Sequence, residues 1–427
     1  MDSSIIIRNN NSIHKPVTFV DVLYGLCKVS CIALIIYYCW YVEAFGNLSI
    51  VVNGSFLLLS SCVILIHFIN FEISLKDIPY GIWNQVVMIC YSFLTGFVIA
   101  YNQIALINAL KHFMIFFMIS YGIVIVSNYY ESYKWVFTWI TIAVLICSFH
   151  LMFYGYHYSS NRIVLSSNSN PNILATILNL GMFCVLYRTS FNFKSLAISI
   201  PIVCIIMYNV IMTGSRKGFI ESLMLISFWG LFLFAQVCKN GNRKELIVIL
   251  VLLLCISLIF IYFYITFIKN TEVIARMETM GNEDSNSARI EMYKEAFDIF
   301  VNKPIFGGGL DQYQYWSARG GYSHSTYAEA IADFGIVGCI LYFLPFILTG
   351  YQLLILSKNS EYVFHALFLF GFCIVELFLG AVQIWFFEAG HILSWTIVFL
   401  VTNMIKNSEN KDLSDNTLSK RYKYVKY

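Results

Sequence analysis

The chain has 427 residues, 59% of them hydrophobic and only 12% charged, with a mean hydropathy of +0.71. Soluble globular domains carry about a quarter charged residues, so this composition excludes a soluble enzyme and predicts a chain that lives in a bilayer. The net charge of +3 comes largely from the C-terminal end, and no acidic or basic block suggests a nucleic-acid partner; attraction to anionic membrane lipid is the simpler reading.

Spanning the hydrocarbon takes roughly 20 apolar residues in a helix, because lipid offers backbone groups no hydrogen-bond partner. Twelve such runs occur, near 22–42, 48–69, 80–101, 110–127, 135–154, 172–187, 194–212, 217–237, 246–268, 334–356, 362–381 and 384–405. The predicted fold is therefore an all-α polytopic membrane protein of about 12 transmembrane helices, forming a single integral-membrane domain over 1–427. Met1 to Val17 is polar and has no small-residue cleavage site behind a short apolar core, so the first run reads as a retained span rather than a signal peptide.

Orientation follows from the basic residues. With both termini in the cytoplasm, the inner segments collect Arg8, Lys15, Lys76, Lys134, Arg188, Lys194, Lys239, Arg243, Lys244, Lys358 and the basic tail 406–427. The short outer loops then hold only Arg162, Arg216 and Lys217, which is the positive-inside pattern. It places the one long polar stretch, 269–326 between spans nine and ten, outside the membrane. A chain with short loops elsewhere has little reason to keep such a stretch unless it forms a working surface. The cysteines sit in or at the ends of apolar runs and read as small packing residues, not as a disulfide framework or metal site.

Three features carry candidate chemistry. Arg216 and Lys217, in Thr213-Gly214-Ser215-Arg216-Lys217-Gly218 between spans seven and eight, break the inside bias. They read either as snorkelling side chains or as a site for a polyanion, with Gly214 and Gly218 allowing its close approach. Arg289 lies in a segment where Ile290, Tyr293, Phe297 and Phe300 recur at helical spacing. This predicts an amphipathic helix on the membrane face, capped by Ser285 or Ser287, with Arg289 in its first turn or else solvated near Glu291 and Glu295. His324 precedes the entrance to span ten, where Ser325 or Thr326 can cap and Glu329 and Asp333 share one helix face. Glu329 is the first candidate to orient His324 and Asp333 the second, the alternative being packing against partners such as Arg319. Tyr313, Tyr315, Trp316 and Tyr322 suit sugar stacking or interface anchoring. Glu283-Asp284-Ser285-Asn286 lacks the far acidic residue of a calcium hand and reads as a capped turn.

These residues together resemble the O-antigen ligase and O-antigen polymerase superfamily of bacterial membrane glycan transferases. The resemblance rests on Thr-Gly-Ser-Arg-Lys-Gly at 213–218 and on Ser-Ala-Arg at 287–289 followed by Lys303-Pro304-Ile305-Phe306-Gly307-Gly308-Gly309. It rests further on His324-Ser325-Thr326-Tyr327-Ala328-Glu329 with Phe334-Gly335-Ile336-Val337-Gly338, and on Asn168-Ser169-Asn170-Pro171-Asn172. It covers 160–345 in detail. What it implies is a GT-C-like glycosyltransferase of the bacterial inner membrane, moving a glycan from undecaprenyl pyrophosphate to a sugar hydroxyl on the extracytoplasmic side, with no metal and no cofactor. By the same resemblance Arg216 and Arg289 would bind pyrophosphate and His324 would activate the acceptor. From the residues themselves, Lys217 is a further candidate for pyrophosphate, Glu329 for assisting His324, and Tyr322, Asn172 and Arg319 for touching glycan. The histidine is followed by Ser rather than the frequent Asn, and the outer loop is short for a ligase, so the acceptor type stays open.

The chemistry agrees with the residues. A glycan on a lipid pyrophosphate is already activated, so the protein must stabilise a charged leaving group and deprotonate a hydroxyl. A polymerase, acting on lipid-linked donor and acceptor beside a flippase and a chain-length regulator, is favoured over a ligase. A 12-span flippase or other transporter is the rival of another class. It would need charges lining a path inside the bundle, whereas Lys28, Glu43, Lys111, Glu221, Glu376 and Glu388 are scattered along the chain.

Overall fold

The computed structural model describes residues 18–46, 48–69, 77–159, 162–190, 193–240, 269, 271–278, 284–359, 362–384, 386 and 388–424. Its long helices are α1 (Phe19–Phe45), α2 (Ser49–Ile69), α3 (Tyr80–Ile99), α4 (Gln103–Tyr129) and α5 (Lys134–Tyr154). A short antiparallel hairpin follows, β1 (Tyr156–Ser159) and β2 (Arg162–Val164), then α6 (Pro171–Arg188), α7 (Phe193–Met212) and α8 (Arg216–Asn240). The polar region forms α9 (Glu272–Glu278), α10 (Asp284–Asn302) and the single turn α11 (Tyr313–Trp316). The chain ends with α12 (Thr326–Asn359), α13 (Val363–Leu379) and α14 (Ala389–Tyr424).

Ten of the described helices are long and apolar enough to cross a membrane, and α13 is a shorter apolar helix. Eleven of the twelve expected runs meet one of these helices, and the run 246–268 lies outside the described residues. The hairpin 156–164 is the one departure from an all-helical layout among the described residues. The basic tail 406–427 continues α14 as helix to Tyr424.

Helix α6 lies at the centre, 83% of its span buried among α5, α7, α8 and α14. A helix surrounded by protein rather than lipid can carry polar groups if they are paired, which is why its hydropathy is low. Thr176 and Asn179 both face partners: the Asn179 amide donates to the Gly218 carbonyl at 2.8 Å, and Ser222 donates to Asn179 Oδ1 at 2.5 Å. The fourth span runs longer than its apolar core because Asn102 caps it, accepting from the amides of Ile104 and Ala105 at 3.1 Å.

Helix α12 is broken near its start. Gly335 has φ 61° and ψ −165°, a region essentially closed to residues with a side chain. The freed backbone groups are taken by the segment 304–309: Ile336 and Val337 amides donate to Pro304 and Ile305 carbonyls at 2.9 and 3.2 Å. In return Gly308 and Gly309 amides donate to Ala332 and Asp333 carbonyls at 2.7 and 2.9 Å. Irregular backbone inside a bundle is tolerated only where protein satisfies it in this way. The approach is so close that a Cβ on Gly307 would lie 2.4 Å from the Asp333 carbonyl oxygen.

Candidate functional site

The turn between α7 and α8 is gripped by arginines from two other segments. Arg162 of the hairpin donates from Nε to the Thr213 carbonyl at 2.9 Å, and Arg276 of α9 donates to the Gly214 carbonyl at 2.8 Å. Arg216 donates back to the Arg276 carbonyl at 2.8 Å, so turn and short helix hold each other. Asn172 joins them, accepting from the Ser215 hydroxyl at 2.8 Å. Gly214 and Gly218 do not leave room for a ligand as the sequence suggested. A Cβ on Gly214 would meet Arg162 Cγ at 2.8 Å, and one on Gly218 would meet Ala175 Cβ at 2.4 Å. Both glycines are used for packing. Arg162 counted only as an outer-loop charge and Arg276 not at all, because nothing local marks their role; only the closed turn does.

Lys217 points the other way, donating to the buried side-chain carbonyl of Gln383. It lies in electrostatic range of Glu388, Glu221, Glu376 and Arg289. His391 Nδ1 is hydrogen-bonded to Glu376, and its Nε2 lies 3.7 Å from Glu388. Glu221, Glu376 and Glu388 are thus not scattered: the packing of α8, α13 and the start of α14 brings all three within electrostatic range of Lys217. Glu43 is in electrostatic range of Glu388 and accepts from Ser169 at 2.5 Å. Lys28 and Lys111 stay apart, Lys28 over the Tyr130 ring at 4.7 Å and Lys111 exposed.

His324 sits at the apex of a pinned turn. Its φ of 57° is unusual for a residue with a side chain and persists because both flanks are fixed. On one side the Ser323 amide and hydroxyl donate to Glu329 Oε2 at 2.8 and 2.6 Å. On the other, the Thr326 amide donates to the carbonyls of Gly380 and Gln383, both at 2.8 Å. Ser325, rather than Thr326, caps α12, its hydroxyl accepting from the Ala328 amide at 3.4 Å. Glu329 therefore reaches the residue before His324, not the imidazole, and orients it through the backbone. Asp333 is used likewise, accepting from the Asp311 and Tyr313 amides at 2.8 Å each.

Helix α10 begins at Asp284, so Arg289 falls in the second turn rather than the first, and Ser285 and Ser287 lie inside the helix. Glu283 lies outside the described residues. The buried side of α10 is Met292, Tyr293, Ala296 and Ile299 against Tyr313, Ala328 and Ala332, leaving Ile290 and Phe297 exposed. The helix is thus seated on α12 rather than only on a membrane face. Glu291 pairs with Arg319, and Glu295 accepts from Ser317 at 2.5 Å, so both acids hold the loop instead of screening Arg289. The Arg319 pair is exposed and contributes little energy.

Of the four aromatics, Tyr313 is buried and donates to the Met292 carbonyl at 2.9 Å, and Trp316 carries Lys303 over its ring at 3.7 Å. Tyr315 and Tyr322 stay exposed. Tyr322 stands beside Asp311, whose carboxyl burial pushes up to about 6 against the hydrogen bonds of Gln314 and Tyr322. Asp311 was not foreseen. The His324 pKa is held below its ordinary value of 6.5 by lost solvation first, then by the positive charges of Arg289 and Lys217. Lys217, Arg289 and His324, from three distant parts of the sequence, therefore lie within electrostatic range of one another at one end of the bundle. Arg216 and Asn172 border them through the turn, Tyr322 and Glu329 through the loop, and Arg319 lies further out.

The fold and site define a polytopic helical membrane protein with a cationic cluster around a histidine. Residues 200–343 match the family model described as O-antigen ligase, which supports the resemblance to the O-antigen polymerase and ligase superfamily. No curated protein matches it. A solved structure described as "Structural coordination of polymerization and crosslinking by a peptidoglycan synthase complex" is similar over 82% of this chain and 98% of that one. Its identity is 14% and its TM-score 0.35, too low to carry functional weight.

Proposed function

We propose that the protein polymerises lipid-linked oligosaccharide repeat units into a surface polysaccharide, taking each glycan from undecaprenyl pyrophosphate on the outer face of the bacterial inner membrane. Arg289, Lys217 and Arg216 bind the donor pyrophosphate. His324 accepts the proton of the acceptor hydroxyl as its oxygen bonds to the anomeric carbon. The bond from that carbon to the phosphate oxygen breaks, and the lipid pyrophosphate leaves with the electron pair, its charge met by the cations. Attack opposite the leaving group inverts the anomeric centre, and no carboxylate nucleophile is required. The observation that supports this reading is the placement of His324 within reach of the fields of Arg289 and Lys217. A base kept neutral by neighbouring cations is suited to work beside a bound dianion.

The test is product formation by the purified chain from lipid-linked repeat unit, in the presence of EDTA. His324→Ala should abolish product while donor still binds, because an interaction used mainly in the transition state affects turnover more than affinity. Near-normal product from the variant would remove the base assignment, and loss of wild-type activity on chelation would remove the metal-independent mechanism. The family description favours a second reading, transfer of the finished glycan to a lipid A core, which the same assay separates by offering that acceptor. The group of Glu221 and Glu376, both buried, with the partly buried Glu388 is the one observation favouring a transporter; a flippase would move the lipid without forming a glycosidic bond.

A further inference from the structure

Gln383 lies in the connection between α13 and α14, far in sequence from every residue of the proposed site. It is 3% exposed, so its amide is a buried polar group that costs free energy unless paired. Its two carbonyls serve two different parts of the site. The side-chain oxygen accepts from the Lys217 ammonium, with Thr176 Oγ1 at 3.4 Å. The backbone oxygen accepts from the Thr326 amide at 2.8 Å and hydroxyl at 2.5 Å, two residues after His324.

We propose that Gln383 is a positioning residue that ties Lys217 to the His324 turn, so that the phosphate-binding cation and the base are held as one unit. This rests on the functional reading above. The chemistry explains why an amide stands there. A carboxylate would also hold the ammonium but would neutralise it beside the donor, whereas a neutral carbonyl fixes the charge and leaves it available to phosphate. Acids that balance Lys217 lie within electrostatic range of it, at Glu388, at Glu221 on α8 and at Glu376. The amide orientation follows from the same contact, since an ammonium can only donate and so requires the oxygen. The Gln383 amide nitrogen is buried with no hydrogen-bond partner among the described residues.

The coupling has a readout that mere structural support does not. His324 faces Arg289 from α10 and Lys217 from α8, with Glu329 of α12 bonded to the preceding Ser323 and Asp311 and Tyr322 in the adjoining loop. Releasing Lys217 from Gln383 takes one positive charge from the vicinity of His324, so its pKa rises and the acid limb of the rate profile moves to higher pH.

The experiment uses the full purified chain and lipid-linked repeat unit. Gln383→Leu should lower turnover about ten- to hundredfold, the loss expected when a hydrogen bond to a charged group is removed. Its acid limb should move upward, and in a Lys217→Met background the same change should cost less than about twofold, because coupled neighbours are not additive. Gln383→Asn, which keeps the amide but draws it back by one methylene, should show the same shift and serves if the leucine variant does not accumulate. Wild-type turnover and an unmoved limb would overturn the proposal, as would a loss that is fully additive with Lys217→Met. A wild-type chain that forms no glycosidic product from any lipid-linked donor would instead overturn the functional reading beneath it.

Discussion

Gly335→Ala probes the join between the broken helix and the loop that carries the site. Two costs can be read from the structure. The backbone at φ 61° and ψ −165° is closed to alanine at a cost of about 1–3 kcal/mol. The new methyl would also stand 2.6 Å from the Gly307 nitrogen and the Ile305 oxygen, both backbone atoms that cannot swing aside. Overpacking of that kind costs a further ~1–3 kcal/mol. The expected destabilisation is therefore about 2–6 kcal/mol, relieved only if 304–309 retreats from α12. Retreat would loosen Asp333 from the Asp311 and Tyr313 amides and with it the loop leading to His324. A displacement of about 1 Å in a reacting group can cost a hundredfold in rate. Gly320→Ala is the control: its φ is also positive, 64°, but nothing lies within 4 Å, so it should cost only the backbone strain of about 1–2 kcal/mol. Thermal unfolding in detergent and product formation at matched folded protein measure both effects. Equal behaviour of the two variants would refute the brace.

Arg289→Lys should lose most activity although charge is kept, because an ammonium cannot supply the paired hydrogen bonds of a guanidinium to phosphate; wild-type polymer length and yield would leave Arg289 a solvated charge. Turnover should fall as pH drops through the His324 pKa, with the midpoint below 6.5 because lost solvation and two cations disfavour the protonated ring; a midpoint above 6.5 would contradict that environment. A reporter fused after Gly281 should be active only outside the cytoplasm and one fused after Asn410 only inside, and finding both on one side would remove the proposed site.

The spans were legible because lipid imposes a length and an apolarity that few other constraints imitate. The apolar run of the tenth span begins only at 334, because Glu329 and Asp333 interrupt the hydropathy while lying buried at 1% exposure each, and it was the capping residues Ser325 and Thr326 that marked where α12 starts. Candidate residues could be read where a motif holds them close, as at Arg216-Lys217 and His324. Arg162, Arg276 and Gln383 could not, since each is bonded to a partner dozens of residues away, and Asp311 carries no motif of its own. The interior acids fall between these cases. Glu388, just before α14, and His391 in its first turn are three residues apart, but their proximity to Glu376 and Lys217 depends on how three helices pack.

That packing also explains why acids around the histidine are not themselves candidates for the chemistry. Glu43, Glu329 and Asp333 each accept from hydroxyls or amides of a loop: Ser169 before α6, Ser323 before α12, and Asp311 with Tyr313. Loops at a bundle end bury too little apolar surface to fix themselves, and a carboxylate from a rigid helix can satisfy backbone donors there with charge-assisted bonds. The acids thus order the polar segments, while the positive charges of Lys217 and Arg289 still act on His324 and disfavour its protonated ring. Were Glu329 bonded to the imidazole instead, it would stabilise the protonated ring and oppose the two cations, weakening the same electrostatic arrangement that keeps the base neutral.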